Sequence, residues 1–185
     1  MDQFLRRTVA QLDRAAEWTG RVVSWLVLLM VLATFGVVLL RYAFGYGRIW
    51  MQELSTWAHA FVFLLAAAYT LKHDEHVRVD ILYKAASPRR RALIDLLGAL
   101  LLLVPASLLI LLSSWDFAAT AWSIGESSGE TGGLSALYLL KAAIPVAAIL
   151  LLLQALSQIA RALLGLRGIE LGHDPHAFDG EGDGL

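Results

Sequence analysis

The sequence predicts an all-α integral membrane protein with four transmembrane helices. Of its 185 residues, 58% are hydrophobic and only 17% are charged, and the mean hydropathy is +0.63. A soluble domain of this size is more polar. Four apolar runs are also long enough to cross a bilayer, which takes roughly 20 helical residues; they lie at about 22–40, 50–71, 92–115 and 134–156. The runs are continuous, whereas strands of a membrane barrel alternate.

The first 21 residues predict an amphipathic helix that leads into the first span. Its apolar side chains recur at helical spacing: Leu5, Val9, Leu12 and Ala16. Such a face lies on the membrane surface or is covered by a partner helix, and we favour the surface. The first apolar run is longer than the core of a signal peptide and no small-residue cleavage pattern follows it, so we expect a retained anchor.

The distribution of basic residues predicts that both termini are cytoplasmic. Most of the 15 Lys and Arg residues lie before the first span, between the second and third spans, or after the fourth span. These residues resist translocation, so the segments that carry them stay inside. We expect five arginines to anchor the helices at the membrane interfaces, beside phospholipid headgroups: Arg41, Arg78, Arg89, Arg90 and Arg91. Basic charge confined to a membrane face gives no support for nucleic-acid binding.

The connection HDEHVRVDILYKAASPRRR, residues 73–91, predicts a short amphipathic helix lying in the cytoplasmic interface. Its polar residues recur every three or four positions, which is typical of one helix face. Alternation between Val77 and Ile81 also fits a strand, but an isolated strand would leave its edges unpaired. Pro88 is expected to end this helix before the third span.

The remaining connections are polar. The third loop, DFAATAWSIGESSGETGG, has no basic residue, and we expect it to be flexible and to face outward. The fourth helix is expected to continue into the cytoplasm, so that the membrane domain covers residues 22–166. The acidic, Gly-rich tail at 167–185 has little to bury and predicts disorder.

Glu53 is an ionisable residue about one turn into the second span, on the same side as Trp50 and Trp57. A buried charge in lipid costs a few kcal/mol, about 2.5 to 3.5 on insertion scales, so a reason for its presence is needed. Three are open: stabilisation by the helix N-terminus among Trp anchors, an ion pair with another helix, or ion translocation. Depth suggests Lys141 of the fourth span as the partner, and the alternatives are Arg41, Arg48 or a second subunit.

His59 lies near the middle of the second span, where a neutral imidazole bonded to a neighbouring helix is the favoured interpretation over a proton relay. A two-histidine haem is rejected because the other histidines lie in the loop and the tail: His73, His76, His173 and His176. The pair His73 and His76 lacks a third metal ligand fixed by the sequence. With no cysteine, no nucleophile beside a base and no phosphate loop, we expect neither an enzyme nor a cofactor.

Several stretches resemble the small membrane subunit, or Q subunit, of the tripartite ATP-independent periplasmic (TRAP) transporters. These are RYAFG after the first span, WMQEL with Trp50 and Glu53, the PRRR turn and IPVA in the fourth span. The cytoplasmic connection adds EHVRVDIL, in which the motif residues are Glu75, His76, Arg78 and Asp80. The resemblance covers about residues 22–161, and its specificity comes from the order of the motifs.

The resemblance implies a subunit of a sodium-coupled uptake system for an organic acid in a bacterial or archaeal inner membrane. In that family a large membrane subunit carries the substrate and sodium sites and a periplasmic protein captures the substrate. The small subunit steadies the scaffold beside the moving domain and helps to dock the binding protein. Polar contacts with the bundle or the large subunit are expected from Trp50, Glu53, Trp57, His59 and Lys141. A membrane assembly factor and a free-standing small transporter or channel are the alternatives.

Overall fold

A computed structural model describes residues 2–73, 83 and 86–169. Within these residues the chain forms four long helices and no strand. They are α1 (Asp2–Phe44), α2 (Ile49–Lys72), α3 (Pro88–Ser123) and α4 (Leu137–Leu166). Each is long and apolar enough to cross a membrane, which confirms the predicted all-α, four-span fold.

α1 is the longest helix, and it runs without a break through the predicted boundary between the lead-in and the first span. Its 43 residues correspond to about 64 Å, roughly twice the thickness of a hydrocarbon core. The apolar face of its first half is covered by α4, since Val9 and Ala16 are each 4% exposed and Asp13 contacts Ser157 of α4. Part of this face is therefore packed against another helix of the same chain, which is the alternative to the membrane surface.

α1 and α2 pack closely near Gly20. A Cβ atom at this position would lie 2.3 Å from the ring of Tyr69 on α2, which is far inside van der Waals contact. Glycine is thus required for the approach of the two helices, in the way that small residues permit close packing of membrane helices.

α3 contains a widened turn. Its segments Pro88–Gly98 and Val104–Ser123 are α-helical, and the turn between them, Ala99–Leu103, is π-helical, with the N–H of Val104 bonded to the carbonyl of Ala99. Pro105 explains the distortion, because its ring crowds the preceding turn and it has no N–H to donate. The third loop begins only after Ser123, because residues 116–123 of the predicted loop are helical.

α4 is the central helix and contacts each of the other three. It carries a series of buried small residues, among them Ala143, Ala147, Ala148, Ala155 and Ala160. Small side chains let the neighbouring backbones approach, which supplies van der Waals contact where lipid provides no hydrophobic driving force.

The predicted interfacial helix lies largely outside the described residues, as do Glu75, His76, Arg78 and Asp80 and the acidic tail from residue 170. Both this helix and the cytoplasmic location of the termini stay predictions.

Candidate functional site

The polar side chains of the bundle collect at its two ends. At one end of the bundle Arg167 contacts Asp2, with a Nη1–Oδ1 distance of 2.6 Å. We call this the terminal end. The opposite end holds the connection between α3 and α4, residues 124–136, and is the loop end. The sequence predicted that Glu53 and Lys141 lie at a similar depth, and the structure places both at the loop end.

The carboxylate of Glu53 is bonded to the loop between α3 and α4. The backbone N–H of Leu134 donates to Glu53 Oε2 at 2.6 Å, and the hydroxyl of Ser128 donates to Oε1. The loop closes on itself beside them, with the N–H of Ser128 donating to the carbonyl of Leu134 at 2.9 Å. The carboxylate of Glu53 on α2 therefore bonds to two positions of the loop, Ser128 and Leu134. The sequence predicted that this loop is flexible.

Gly133 makes room for this contact. A Cβ atom at Gly133 would lie 2.7 Å from Glu53 Oε2 and 2.6 Å from Ser128 Oγ. The adjacent Gly132 has a φ of 82°, in the left-handed region that favours glycine. Gly132 thus allows the turn of the loop backbone, and Gly133 leaves space for the carboxylate of Glu53. We call Glu53, Ser128, Gly133 and Leu134 the Glu53 site.

Lys141 does not pair with Glu53, so the predicted partner was wrong. Its ammonium donates to both carboxylate oxygens of Glu126 at 2.6 Å and lies 4.1 Å from the centre of the Phe117 ring. Glu126 lies three residues after the end of α3, and its backbone carbonyl accepts a hydrogen bond of 3.3 Å from the N–H of Tyr138 in the first turn of α4. Arg48, an alternative partner for Glu53, contacts Tyr46 instead.

The other residues predicted on α2 divide between the interior and the surface. Trp57 is half-buried and Trp50 is 42% exposed. His59 is exposed and lines an open groove of about 640 Å³ between α1 and α2. The structure therefore brings Glu53 and Lys141 to the same end of the bundle and leaves His59 apart from both.

At the terminal end, α1 is joined to α4 by Asp13. Its Oδ1 accepts a hydrogen bond of 2.7 Å from Ser157, and its Oδ2 accepts one from Arg161. The side chain of Asp13 is 13% exposed, so this ion pair is largely shielded from water. No role for Asp13 was predicted from the sequence, because its contacts depend on the packing of α1 along α4.

Glu17 joins α1 to the end of α2. Lys72 Nζ lies 2.5 Å from Glu17 Oε2, the His73 ring nitrogen lies 3.1 Å from the same oxygen, and Arg21 bonds the other oxygen. The hydrogen bond from Lys72, followed by those from His73 and Arg21, lowers the pKa of Glu17 from 4.5 to about 2, against the opposing effect of burial. The same contacts occupy His73, one of the two histidines considered as metal ligands.

The predicted arginine anchors differ in their surroundings. Arg41, Arg89 and Arg90 are exposed, as residues at headgroup level would be. Arg91 instead donates from Nε to the carbonyls of Tyr83 and Ala86, at 3.2 and 3.1 Å, and so fixes the chain before α3. No group of three possible metal ligands occurs among the described residues.

Comparison with known proteins identifies similar chains. A family model described as the DctQ component of the tripartite ATP-independent periplasmic transporters matches residues 30–165. The chain is also similar to the C4-dicarboxylate TRAP transporter small permease protein DctQ of Vibrio cholerae serotype O1 (strain ATCC 39315 / El Tor Inaba N16961), with 30% identity over 109 residues. This match covers 57% of the chain and 47% of that relative, so the chain matches about half of the relative's length. No solved structure matches the chain.

Proposed function

The chain belongs to the DctQ component family of the tripartite ATP-independent periplasmic transporters, and we propose that it is the small scaffold subunit of an uptake system for an organic acid. The observation that carries the proposal is the family match over residues 30–165, which covers the last third of α1, all of α2 and α3, and all but the last residue of α4. The chain is thus a transport component of the inner membrane, multi-pass, and not an enzyme.

The substrate that we propose is a C4-dicarboxylate. The similar protein of Vibrio cholerae is named for that class of substrate, and this is the basis for the proposal. We further propose that uptake is coupled to sodium and that the chain works with a large membrane subunit and a periplasmic binding protein, as the resemblance of the motifs implies.

The contacts at the two ends of the bundle support a scaffold role. At the loop end Glu53 ties α2 to the connection between α3 and α4, and at the terminal end Asp13 ties α1 to Arg161 of α4. Links between elements far apart in sequence make the bundle resist the sliding of one helix past another. A part against which another domain moves needs this resistance.

The proposed orientation places the terminal end in the cytoplasm and the loop end outside. The loop end then presents the exposed side chain of Glu130 toward the compartment of a periplasmic binding protein. The Glu53 site supports docking of that protein on this loop, because Ser128 and Leu134 of the loop are both bonded to the carboxylate of Glu53.

The experiment is co-purification combined with uptake. This chain, the large subunit and the binding protein are expressed together, with an epitope tag on the large subunit. Uptake of radiolabelled succinate is then measured in whole cells with and without sodium. We expect the tagged large subunit to retain this chain through purification, and deletion of the chain to abolish uptake. Uptake by vesicles that contain this chain alone would instead establish a free-standing transporter. Assembly of an active large subunit that later functions without the chain would establish an assembly factor.

Two variants test whether uptake depends on Glu53 or on another acidic residue. Glu53→Ala removes the acceptor of two loop hydrogen bonds, and we expect it to lower uptake. Asp95→Asn is the matched control, because Asp95 accepts from the hydroxyl of Tyr83 at 2.7 Å and an asparagine retains an acceptor oxygen. Equal uptake by the two variants would contradict the role of Glu53.

A further inference from the structure

Part of the surface of α2 that this chain leaves uncovered carries polar side chains, although the helix is apolar enough to cross a membrane. Four residues between Met51 and Lys72 are exposed, namely Gln52, Thr56, His59 and Phe63. Successive members are four, three and four positions apart. They form one face, because positions separated in this way lie above one another on an α-helix. Three of the four side chains are polar, which is the reverse of a helix that faces lipid.

The position of His59 makes this face costly in lipid. His59 is about 15 Å along α2 from Ile49, near the middle of a helix of 24 residues. Among residues 2–73, 83 and 86–169, the side chains of His59 and Gln52 make no hydrogen bond. Acyl chains offer no donor or acceptor, so polar groups at this depth require a protein partner.

An open groove adjoins this face. It lies between α1 and α2, has a volume of about 640 Å³ and is lined by Met30, Val31, Thr34, Phe35, Ser55, Thr56 and His59. The hydroxyls of Thr34 and Ser55 are 2.6 Å apart across the groove floor and satisfy each other. Small hydroxyl-bearing residues and an imidazole are the side chains that membrane helices use to bond across an interface.

The exposed face of α3 differs from this one. Its most exposed large residues are apolar, with Leu102 at 72%, Leu109 at 70% and Leu112 at 73% exposure. Lipid tails are as apolar as leucine side chains, so lipid is a suitable environment for them. The contrast between the two faces assigns lipid to α3 and a protein partner to α2.

We infer that the face of α2 formed by Gln52, Thr56, His59 and Phe63, with the adjoining groove, is the docking surface for a transmembrane helix of the large subunit that carries a hydrogen-bonding side chain. The inference rests on the proposed function for the existence of the large subunit and adds the location of the interface. A carboxylate, amide or hydroxyl on the partner helix would satisfy the imidazole of His59.

Crosslinking from single cysteines tests the location, because the chain has no cysteine of its own. Thr56→Cys and His59→Cys are introduced separately, with Leu102→Cys and Leu109→Cys as controls that are equally exposed on α3. Each is labelled with benzophenone maleimide and irradiated in native membranes that contain the three chains, with different tags on this chain and the large subunit. We expect the α2 positions to crosslink to the tagged large subunit and the α3 positions to give no protein adduct.

Other products overturn the inference. Crosslinks between two copies of this chain would identify a homodimer surface, and adducts of Thr56→Cys and His59→Cys with lipid alone would show that the face is bare. Suppose that either result is found in membranes where the wild-type chain still co-purifies with the large subunit. The proposed location of the interface is then wrong, and the proposed function is unaffected. Failure of the wild-type chain to co-purify would overturn the proposed function itself.

Substitution of His59 provides an independent measurement. His59→Leu fills a similar space without a hydrogen bond, and we expect the association constant with the large subunit to fall about three-fold, the factor for an average interhelical hydrogen bond in a membrane. His59→Gln retains a donor and an acceptor and is expected to bind as the wild type does. Binding by His59→Leu equal to that of His59→Gln would contradict a hydrogen bond at this position.

Discussion

Glu53 and Leu134 are 81 residues apart in the chain and are joined by a hydrogen bond of 2.6 Å between the Leu134 N–H and Glu53 Oε2. The bond connects the first turns of α2 to the loop that enters α4. A carboxylate that the sequence places inside a membrane span is therefore satisfied within the chain, by a backbone donor and the hydroxyl of Ser128.

Glu53→Ala is expected to loosen the loop at residues 124–136. The variant leaves the N–H of Leu134 without its acceptor, and an unsatisfied donor costs about 1–3 kcal/mol. The amide of Leu134 should then exchange with deuterium at least about five-fold faster. Glu130→Gln removes a charge from the same loop, where the side chain is exposed, and serves as the control. Unchanged exchange in Glu53→Ala would show that the loop is held by other contacts.

Gly133→Ala is expected to act through the same contact. The added methyl group would lie 2.7 Å from Glu53 Oε2, so either the carboxylate or the loop has to shift. We expect a loss of about 1–3 kcal/mol in the free energy of unfolding in detergent, as for other overpacked positions. The double variant with Glu53→Ala should lose less than the sum of the single variants. Additive losses in the free energy of unfolding would show that Gly133 does not act through its contact with Glu53.

The sequence predicts the spans better than the contacts between them. Four apolar runs require four helices, because a backbone in lipid has to satisfy its own hydrogen bonds. The partner of Glu53 could not be predicted in the same way. Depth along the helix correctly predicted that Lys141 lies at the same end of the bundle as Glu53. Whether Lys141 pairs with Glu53 or with Glu126 depends on the fold of residues 124–136, where glycines permit several backbone paths. The pairing of Asp13 with Arg161 depends likewise on the packing of α1 along α4.

Lys141→Met is expected to destabilise the start of α4. The ammonium is bonded to Glu126, whose side chain is 28% exposed, and the substitution leaves this partly shielded carboxylate without its cation. We expect a lower melting temperature in detergent and a loss of about 1–3 kcal/mol. The double variant Lys141→Met/Glu126→Gln removes both charges and should be more stable than Lys141→Met alone. A double variant less stable than the single one would contradict the ion pair.

Gly20→Ala is expected to separate α1 from α2. The new methyl group would lie 2.3 Å from the ring of Tyr69, and the ring has to move or the helices have to part. The expected loss is about 1–3 kcal/mol in the free energy of unfolding. Gly36→Ala is the matched control, because a Cβ atom at Gly36 meets nothing within 4 Å and alanine favours the helix. If both variants melt at the same temperature, the close approach at Gly20 does not limit stability.

The ion pair of Glu17 predicts a pH dependence whose direction follows from its pKa. Lys72, His73 and Arg21 stabilise the carboxylate in the folded protein, and the pKa of Glu17 falls from 4.5 to about 2. A depressed pKa contributes stability that is complete above the pKa of the unfolded chain and is lost as the pH falls toward the folded value. The window is therefore pH 4.5 to about 2. Because the Glu17 side chain is 25% exposed, we expect a contribution of about 1–2 kcal/mol after solvent screening.

Glu17→Gln should remove this contribution, because an amide cannot carry the charge that Lys72 and Arg21 stabilise. The difference in melting temperature between the wild type and Glu17→Gln is expected to be present at pH 5, where Glu17 is ionised in both the folded and the unfolded chain. It should shrink between pH 4.5 and pH 2.5, where the unfolded chain takes up the proton first. Lys72→Met removes the largest cause of the shift and should narrow the same window. A difference that grows on acidification would require the opposite sign for the pKa shift, and with it a different partner for Glu17.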